Sequence, residues 1–248
     1  MKRFALPAML VLGATGAAST GCSSLLHSNE LPVQTYILRA TVAAADVPVS
    51  TERGAPGAGE RLDTRGTALT RAVESVRARD GTPVAPTVQL PRPSADPGLA
   101  TQLITLVRSD HRMDYYLGSR WAGDLPDVVE SLAIDTLRAS GAWSAVHESP
   151  SPFLADYLLQ INIRRFEADY TEGGVAPKVH VVLDCTLARR IGRDLVASFV
   201  AEGEAAATEN RLSSVVSAFE KAANAALTTM ADRSAAAARD APPVAATP

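Results

Sequence analysis

The chain has 248 residues, of which 46% are hydrophobic and 21% are charged, and its formal net charge is −3. This size and composition are typical of one globular domain with extra segments. The negative charge, which grows if Lys2 and Arg3 leave with a signal peptide, argues against a general nucleic-acid-binding protein. Aromatic residues make up only 5% of the chain, so we expect a core of aliphatic residues and alanine.

Residues 1–21 are predicted to be a lipoprotein signal peptide. Met1–Arg3 is basic, and the run from Phe4 to Ala18 is uncharged and mostly apolar. This run is shorter than the roughly 20 residues of a transmembrane helix, which favours a signal peptide over a membrane span. Gly21 then precedes Cys22, an arrangement that resembles the bacterial lipobox. The resemblance implies a covalent diacylglycerol and an N-linked acyl chain, such as palmitate, on Cys22, which would anchor the protein to a membrane.

The two cysteines are expected to form no disulfide. Cys185 lies in an apolar strand pattern and is predicted to be a small buried residue, and an acylated Cys22 is no longer available as its partner. One alternative stays open, because cleavage as an ordinary signal peptide near Ala18 or Thr20 would leave Cys22 as a free thiol. Residues 22–31 are predicted to be a tether between the lipid and the domain.

Residues 32–233 are predicted to form the domain, interrupted at 43–86 by a low-complexity insertion with hardly any large apolar residue. Ser109–His111 predicts a hairpin turn, because the aspartate in its centre can bond its own backbone. The predicted strands are Gln34–Arg39, Thr87–Leu90, Leu103–Arg108, Arg112–Leu117, Trp143–His147, Tyr157–Phe166, Val179–Leu187 and Leu195–Ala201.

Two amphipathic helices are predicted. Asp124 is placed at the N-cap of the first helix, Pro126 lies in its first turn and Gly141 ends it. The second helix begins at Leu212 and carries a continuous apolar stripe as far as Met230. Residues 234–248, which are rich in alanine and proline, are predicted to be a disordered tail.

Both helices need the same sheet to bury their apolar faces. The predicted fold class is therefore α+β, a two-layer sandwich with a mainly antiparallel sheet and two amphipathic helices packed on one face. The opposite face of the sheet, or its edges, would then be free to meet a partner.

No catalytic or metal-binding motif stands out. The four histidines are scattered singly, which argues against a metal site, and no glycine-rich loop opens a helix to hold phosphate. The segment around Gly118 and Ser119 only partly resembles the nucleophile elbow of hydrolases, because it lacks the second glycine of that motif. Asp124 and Asp127 are explained by the helix N-terminus. We therefore predict no enzyme, no metal and no cofactor other than the acyl chains on Cys22, with an envelope hydrolase as the weakest alternative.

The segment Met113–Trp121 concentrates two tyrosines, one arginine and one tryptophan. These side chains anchor many protein interfaces, so Tyr115, Tyr116, Arg120 and Trp121 are candidate partner-binding residues. A second interpretation is compatible with the first. In it, one of the tyrosines packs on the sheet and Trp121 closes the core at the start of the first helix.

Several motifs occur together with the lipobox in a fixed order. They are Tyr36–Leu38, Pro97–Ile104, Asp114–Tyr116, Arg120-Trp121, Arg164–Tyr170, Val181–Leu187, Val196–Phe199 and Val215–Phe219. This ordered set resembles the ABC-type transport auxiliary lipoproteins. The resemblance covers roughly residues 32–232, apart from the insertion.

The resemblance implies a non-catalytic periplasmic lipoprotein. Its implied partners are an Mce-domain protein, a permease and an ATPase, which together move lipids or other hydrophobic molecules across the cell envelope. Ser23 is not the aspartate that favours inner-membrane retention in enteric bacteria, so we expect a lipid anchor in the outer membrane, facing the periplasm. Two questions stay open: whether the protein forms a homo-oligomer, and whether it carries a hydrophobic ligand in a cavity under the helices.

Overall fold

The computed structural model describes residues 32–41 and 85–241. The predicted signal peptide, Cys22, the tether, residues 42–84 and residues 242–248 lie outside the described residues. The strands are β1 (Gln34–Tyr36), β2 (Thr87–Leu90), β3 (Ser94–Ala95), β4 (Leu103–Val107), β5 (Met113–Trp121), β6 (Ala145–Glu148), β7 (Tyr157–Asp169), β8 (Lys178–Arg189) and β9 (Leu195–Ala206). The helices are α1 (Leu125–Ala139) and α2 (Leu212–Asp240).

Strand β7 is the strand around which the sheet is organised. One edge of β7 pairs antiparallel with β8 along its whole length, and β8 pairs antiparallel with β9. The other edge of β7 is shared by β2, β3 and β4, which all run parallel to it. The sheet then continues from β2 to β6, and from β4 through β5 to β1.

The α+β architecture is as predicted, but the prediction of a mainly antiparallel sheet is wrong because the sheet is mixed. Parallel neighbours need a long crossover connection, and the chain passes through β5, α1 and β6 between β4 and its parallel neighbour β7. Turn residues in the sequence predict only hairpins between consecutive strands, and those hairpins are antiparallel. The parallel pairings are non-local and leave no such signal.

The core lies between the sheet and the two helices. Alternate residues of β8, such as Val179 and Leu183, are buried together with the apolar faces of both helices. At its centre Trp121 meets Phe166 and Phe219 edge to face, with ring centroids 6.0 and 5.2 Å away. Such large rings remove much apolar area from water and prefer this edge-to-face geometry. The chain therefore builds one core despite its low aromatic content.

Helix α2 continues to Asp240, which corrects the predicted disordered tail for residues 234–240. Ser234 and Ala238 are buried, and the Tyr157 hydroxyl donates to the Ala238 carbonyl oxygen at 3.3 Å. The alanine-rich composition indicated disorder, but alanine has the highest helix propensity and its small side chain allows close packing. Within the described ranges, no helix is both long and apolar enough to cross a membrane.

Helix α1 begins and ends close to its predicted limits. Asp124 occupies the N-cap, but its carboxylate makes no capping hydrogen bond and instead lies 3.8 Å from the Arg92 guanidinium. Arg92 also donates to Asp127 in the first turn of the helix. Gly141 adopts a φ of +63° and its N–H donates to the Arg138 carbonyl oxygen at 3.3 Å, so glycine ends the helix in the left-handed conformation.

Candidate functional site

Strand β5 carries all four predicted partner-binding residues and begins after the predicted hairpin turn. The Arg112 N–H donates to Asp110 Oδ1 at 3.3 Å, and His111 adopts a φ of +63°, which confirms the turn. The strand extends past its predicted end at Leu117 because β1 pairs in parallel with its last three residues, ending at Trp121.

Trp121 lies in the core. Its side chain is 1% exposed and its ring contacts Phe166 and Phe219. A buried ring offers no surface to a partner, so the partner-binding role predicted for Trp121 does not fit this position. The alternative interpretation, in which Trp121 closes the core at the start of α1, does fit.

Tyr116 is half-buried, and its hydroxyl is used within the domain. The Tyr116 and Tyr170 hydroxyl oxygens lie 2.8 Å apart, and the Tyr170 hydroxyl donates to Asn210 Oδ1 at 2.8 Å. Burial, together with the hydrogen bond to Tyr170, raises the pKa of Tyr116 well above its ordinary value. These bonds connect β5 to the β7–β8 loop and to the segment before α2, so the position of Tyr116 indicates a structural role.

Tyr115 and Arg120 lie on the face of the sheet that the helices do not cover. Their register partners on β4 are Thr105 and Leu103. Arg120 directly precedes Trp121, so it points away from the core side. Tyr115 shares the face of Arg120, because their partners Thr105 and Leu103 are two residues apart on β4. Of the four predicted residues, the structure therefore places Arg120, which is exposed, and Tyr115, which is half-buried, on the uncovered face.

Neighbouring residues position both of these side chains. The Tyr115 hydroxyl donates to the Gly98 carbonyl oxygen at 3.2 Å, and Arg120 Nε donates to Thr35 Oγ1 at 3.5 Å. Arg120 is exposed and forms no ion pair with any residue that the structure describes. Its charge is therefore available to a carboxylate on a partner.

Between Tyr115 and Arg120, strand β5 forms a bulge that projects Leu117 into solvent. The register shifts here, so that more residues of β5 than of β4 span the same distance. Gly118 turns the backbone with a φ of +65°, and the Ser119 hydroxyl donates to the Leu117 carbonyl oxygen at 3.4 Å. Leu117 is 96% exposed. Bulges commonly redirect a side chain, and this one presents an aliphatic side chain on a constrained backbone.

Other exposed apolar side chains surround the bulge. Val33 precedes Gln34, the register partner of Ser119, and so adjoins the bulge, while Leu103 and Met113 lie on the uncovered face. We call this the β5 edge surface, formed by Val33, Leu103, Met113, Tyr115, Leu117 and Arg120. Aliphatic and aromatic side chains around one arginine are typical of protein interfaces.

Sequence reasoning missed the aliphatic part of this surface. Leu103 and Leu117 were predicted only as strand residues and Val33 was not singled out, since apolar residues in strands are usually buried. One signal was present, because a glycine inside a strand pattern often marks a bulge, and Gly118 stands directly after Leu117.

Outside the β5 edge surface, the uncovered face holds a histidine–carboxylate pair. His180 Nδ1 lies 3.0 Å from Glu204 Oε1, and Lys178 Nζ lies 2.9 Å from Glu204 Oε2. The hydrogen bond from Lys178, aided by His180, lowers the pKa of Glu204. No serine or cysteine in residues 32–41 and 85–241 hydrogen-bonds to His180, and in those ranges no three metal-binding side chains converge. The pair therefore has no nucleophile to activate in the described part of the chain.

Comparison with known families gives one extended match. The family model described as the ABC-type transport auxiliary lipoprotein component matches residues 68–231. The match begins within the predicted insertion, and thus later than the predicted resemblance at residue 32. No curated protein sequence matches the chain significantly.

Solved structures with a similar fold exist. A Xanthomonas campestris protein described as DUF330 has a TM-score of 0.59 and 24% identity, over 63% of this chain and 87% of that chain. A protein described only as uncharacterised has a TM-score of 0.51 and 14% identity, over 60% of this chain and 92% of its own. At these identities the likeness shows the fold alone. Because the family model spans nearly the whole described domain, the chain belongs to the ABC-type transport auxiliary lipoprotein component family.

Proposed function

We propose that this protein is a non-catalytic lipoprotein subunit of an Mce-type ABC transport system and that it docks on the transporter through the β5 edge surface. Family membership supports association with an ABC transport system. The observation that carries the docking proposal is the β5 bulge, which holds Leu117 almost fully exposed on the strand of Arg120, a residue without an ion pair among the described residues. The same surface holds Met113, Tyr115 and Arg120, and aromatic residues, methionine and arginine are enriched in protein interfaces.

Docking is proposed in preference to catalysis because no nucleophile of the described residues lies beside the histidine–carboxylate pair, and the described thiol is buried. Glu204 pairs with both His180 and Lys178, and no hydroxyl or thiol of the described residues hydrogen-bonds to His180 to use it as a base. Burial raises the pKa of the Cys185 thiol to about 12, which keeps it protonated and a poor nucleophile. An envelope hydrolase would need the opposite arrangement.

The alternative of a ligand carrier has less support. A ligand cavity under the helices would require free space between helix and sheet. At the centre of that layer the rings of Trp121, Phe166 and Phe219 are in mutual contact, with centroids 5.2 to 6.0 Å apart. A well-packed interior of this kind accepts an extra molecule only by moving apart.

We further propose that the partners are an Mce-domain protein, a permease and an ATPase, and that the transported molecules are lipids or other hydrophobic compounds. The ordered motifs of the sequence support this assignment. In this proposal, acyl chains on Cys22 anchor the protein in the outer membrane, with the domain in the periplasm. Each buried methylene of an acyl chain contributes about 0.8 kcal/mol to membrane binding, so several chains would give a stable anchor.

Affinity capture tests the proposed function. A tagged full-length chain, expressed in cells that make the transporter, is isolated from gently solubilised envelopes, and its partners are identified by mass spectrometry. We expect an ATPase, a permease and an Mce-domain protein of one transport system. Isolation of the chain with no component of any ABC transporter would contradict the proposal, and one bound lipid per isolated chain would favour the carrier function instead.

Membrane fractionation tests the anchor separately. The Cys22→Ala variant is expected to leave the membrane fraction and appear as a soluble periplasmic protein, because it lacks the acylated side chain. Unchanged fractionation of this variant would contradict acylation at Cys22.

A further inference from the structure

A groove beside helix α1 forms a second surface, distinct from the β5 edge surface. It has a volume of about 410 Å³ and lies between residues 36–40 and the first three turns of α1. Its apolar lining consists of Tyr36, Ile37, Leu38, Ala40, Ala122, Val128 and Leu132. Ile37 is 64% exposed, so an aliphatic side chain lies where the groove meets solvent.

One wall of the groove is fixed by a single side chain of α2. The Asn224 amide donates to the Arg39 carbonyl oxygen at 3.0 Å, and its Oδ1 accepts the Thr41 N–H at 2.7 Å. At the other end of the wall, the Ala122 N–H donates to the Tyr36 carbonyl oxygen at 3.0 Å. These hydrogen bonds hold the extended segment 37–40 against the domain. A wall that is already ordered loses less conformational entropy when a ligand binds.

The rim of the groove on the α1 side is acidic. Asp127 and Asp135 line it, and Glu130 lies on the same exposed side of the helix. Asp127 is paired with Arg92, but neither Glu130 nor Asp135 forms an ion pair with a described residue. The negative charge along this rim is therefore only partly compensated.

We propose that this groove binds a protein segment of the transporter that presents an aliphatic side chain next to a lysine or arginine. The aliphatic side chain would fill the apolar floor beside Ile37 and Val128, and the cation would meet Asp135 at the rim. Arg39 also lines the groove and Arg92 pairs with Asp127, but the three carboxylates of Asp127, Glu130 and Asp135 outnumber these two cations. The small excess of negative charge favours a cationic protein segment over an anionic phospholipid. This proposal rests on the proposed function in one respect only, namely that the bound segment belongs to the transporter.

A binding measurement with defined peptides tests the chemistry of the groove. The full acylated chain is placed in phosphatidylcholine nanodiscs, and fluorescence anisotropy is measured with a labelled peptide that alternates leucine and lysine. Two matched peptides replace leucine by serine or lysine by glutamate. We expect affinity for the leucine–lysine peptide to be about tenfold or more above that for either matched peptide, since each lacks one of the two interactions.

Substitutions locate the binding. Ile37→Ser removes the aliphatic mouth of the groove and is expected to weaken binding about tenfold, whereas Ile191→Ser changes another exposed isoleucine, 78% exposed, and should have no effect. Asp135→Lys reverses the rim charge and should weaken binding about fivefold, while Asp232→Lys on the exposed side of α2 serves as its control. Equal binding by Ile37→Ser and Ile191→Ser would overturn the proposal, as would preference for the glutamate peptide.

Two further outcomes name other occupants and would also overturn the proposal. Binding of the Cys22→Ala chain to vesicles containing phosphatidylglycerol, measured by flotation without peptide and lost in the Cys22→Ala/Ile37→Ser chain, would identify an anionic lipid as the ligand. A concentration-dependent dimer that Ile37→Ser abolishes would identify a second copy of the chain. The two proposals can fail independently. If the proposed function is wrong, the affinity capture recovers no transporter components, while the peptide still binds the groove.

Discussion

A β-carbon added to Gly203 would lie 2.8 Å from the backbone nitrogen of Ala226 and closer still to the carbonyl oxygen of Ala222. Strand β9 and helix α2 therefore touch backbone to backbone, with Gly203 and the small residues of the helix at the crossing point. No flexible side chain could yield at this point. At this point β9 and α2 cannot come closer, because Gly203 already meets the backbone of Ala222 and Ala226.

The Gly203→Ala variant is expected to be strongly destabilised. The extra methyl group collides with helix backbone, so α2 must move away from the sheet and lose part of its packing. We expect the free energy of unfolding, measured by urea denaturation, to fall by about 3 kcal/mol or more. Gly123→Ala is the matched control, since a β-carbon there meets nothing within 4 Å, and it should change the stability little. Equal stability of the two variants would contradict the close crossing of β9 and α2.

The Asn224→Ala variant is expected to loosen the wall of the groove while the core stays folded. It loses the two hydrogen bonds to the backbone of Arg39 and Thr41, at a cost of about 1 kcal/mol each. Hydrogen exchange should therefore become faster in residues 37–41, with little change in the sheet. Thr229→Ala removes a hydrogen bond that stays within α2 and should leave this segment protected. Unchanged exchange in Asn224→Ala would show that other contacts hold the segment.

Cys185 is expected to be unreactive in the folded protein. Its side chain is buried between sheet and helix, and burial raises its pKa to about 12, so the thiolate is scarce at pH 8. In the Cys22→Ala chain it is the sole thiol. We expect a disulfide reagent to react at least about a thousandfold faster in denaturant than in buffer. Rapid labelling in buffer would contradict the position of Cys185 in the core.

The Asp169→Asn variant is expected to lose stability in a pH-dependent way. Burial alone would raise the pKa of Asp169, but hydrogen bonds from Thr171 and the guanidinium of Arg165 outweigh it and hold the pKa below its usual value. A lowered pKa in the folded state means that the ionised carboxylate adds stability above about pH 4, and that this contribution is lost as the pH falls.

At pH 7 we therefore expect Asp169→Asn to cost about 1 to 3 kcal/mol, and the difference from the parent chain to shrink below about pH 4. Urea denaturation at several pH values measures both quantities. A penalty that stays constant down to pH 3 would mean that the charge of Asp169 contributes nothing.

Local patterns in the sequence predicted the elements of the fold better than their arrangement. Helix α1 was recognisable from its apolar spacing, from Asp124 and from Gly141, because each signal acts within a few residues. The parallel neighbours of β7 depend instead on contacts between distant segments. The two-residue strand β3 was hidden between prolines, and the end of α2 was hidden in a composition that also suits disordered chains.

The candidate surface was predicted only in part for a related reason. Residue type indicated that Tyr115, Tyr116, Arg120 and Trp121 suit an interface, but type alone does not tell which side of the sheet a residue faces. The bulge at Leu117 interrupts the alternation of side chains between Tyr115 and Arg120. The side of the sheet to which Trp121 points could therefore not be obtained by counting along the strand. The core position of Trp121 follows from the three-dimensional pairing with β1 and β4.

The docking of the β5 edge surface on the transporter is tested most directly by capture with a Leu117→Asp chain. Because Leu117 is 96% exposed, the substitution should leave the stability of the domain unchanged. Leu154→Asp, at a leucine that is 80% exposed outside this surface, is the control. We predict that Leu117→Asp recovers about tenfold less ATPase, permease and Mce-domain protein than Leu154→Asp, as expected for the loss of an apolar anchor. Equal recovery of the transporter by the two variants would contradict docking through the β5 edge surface.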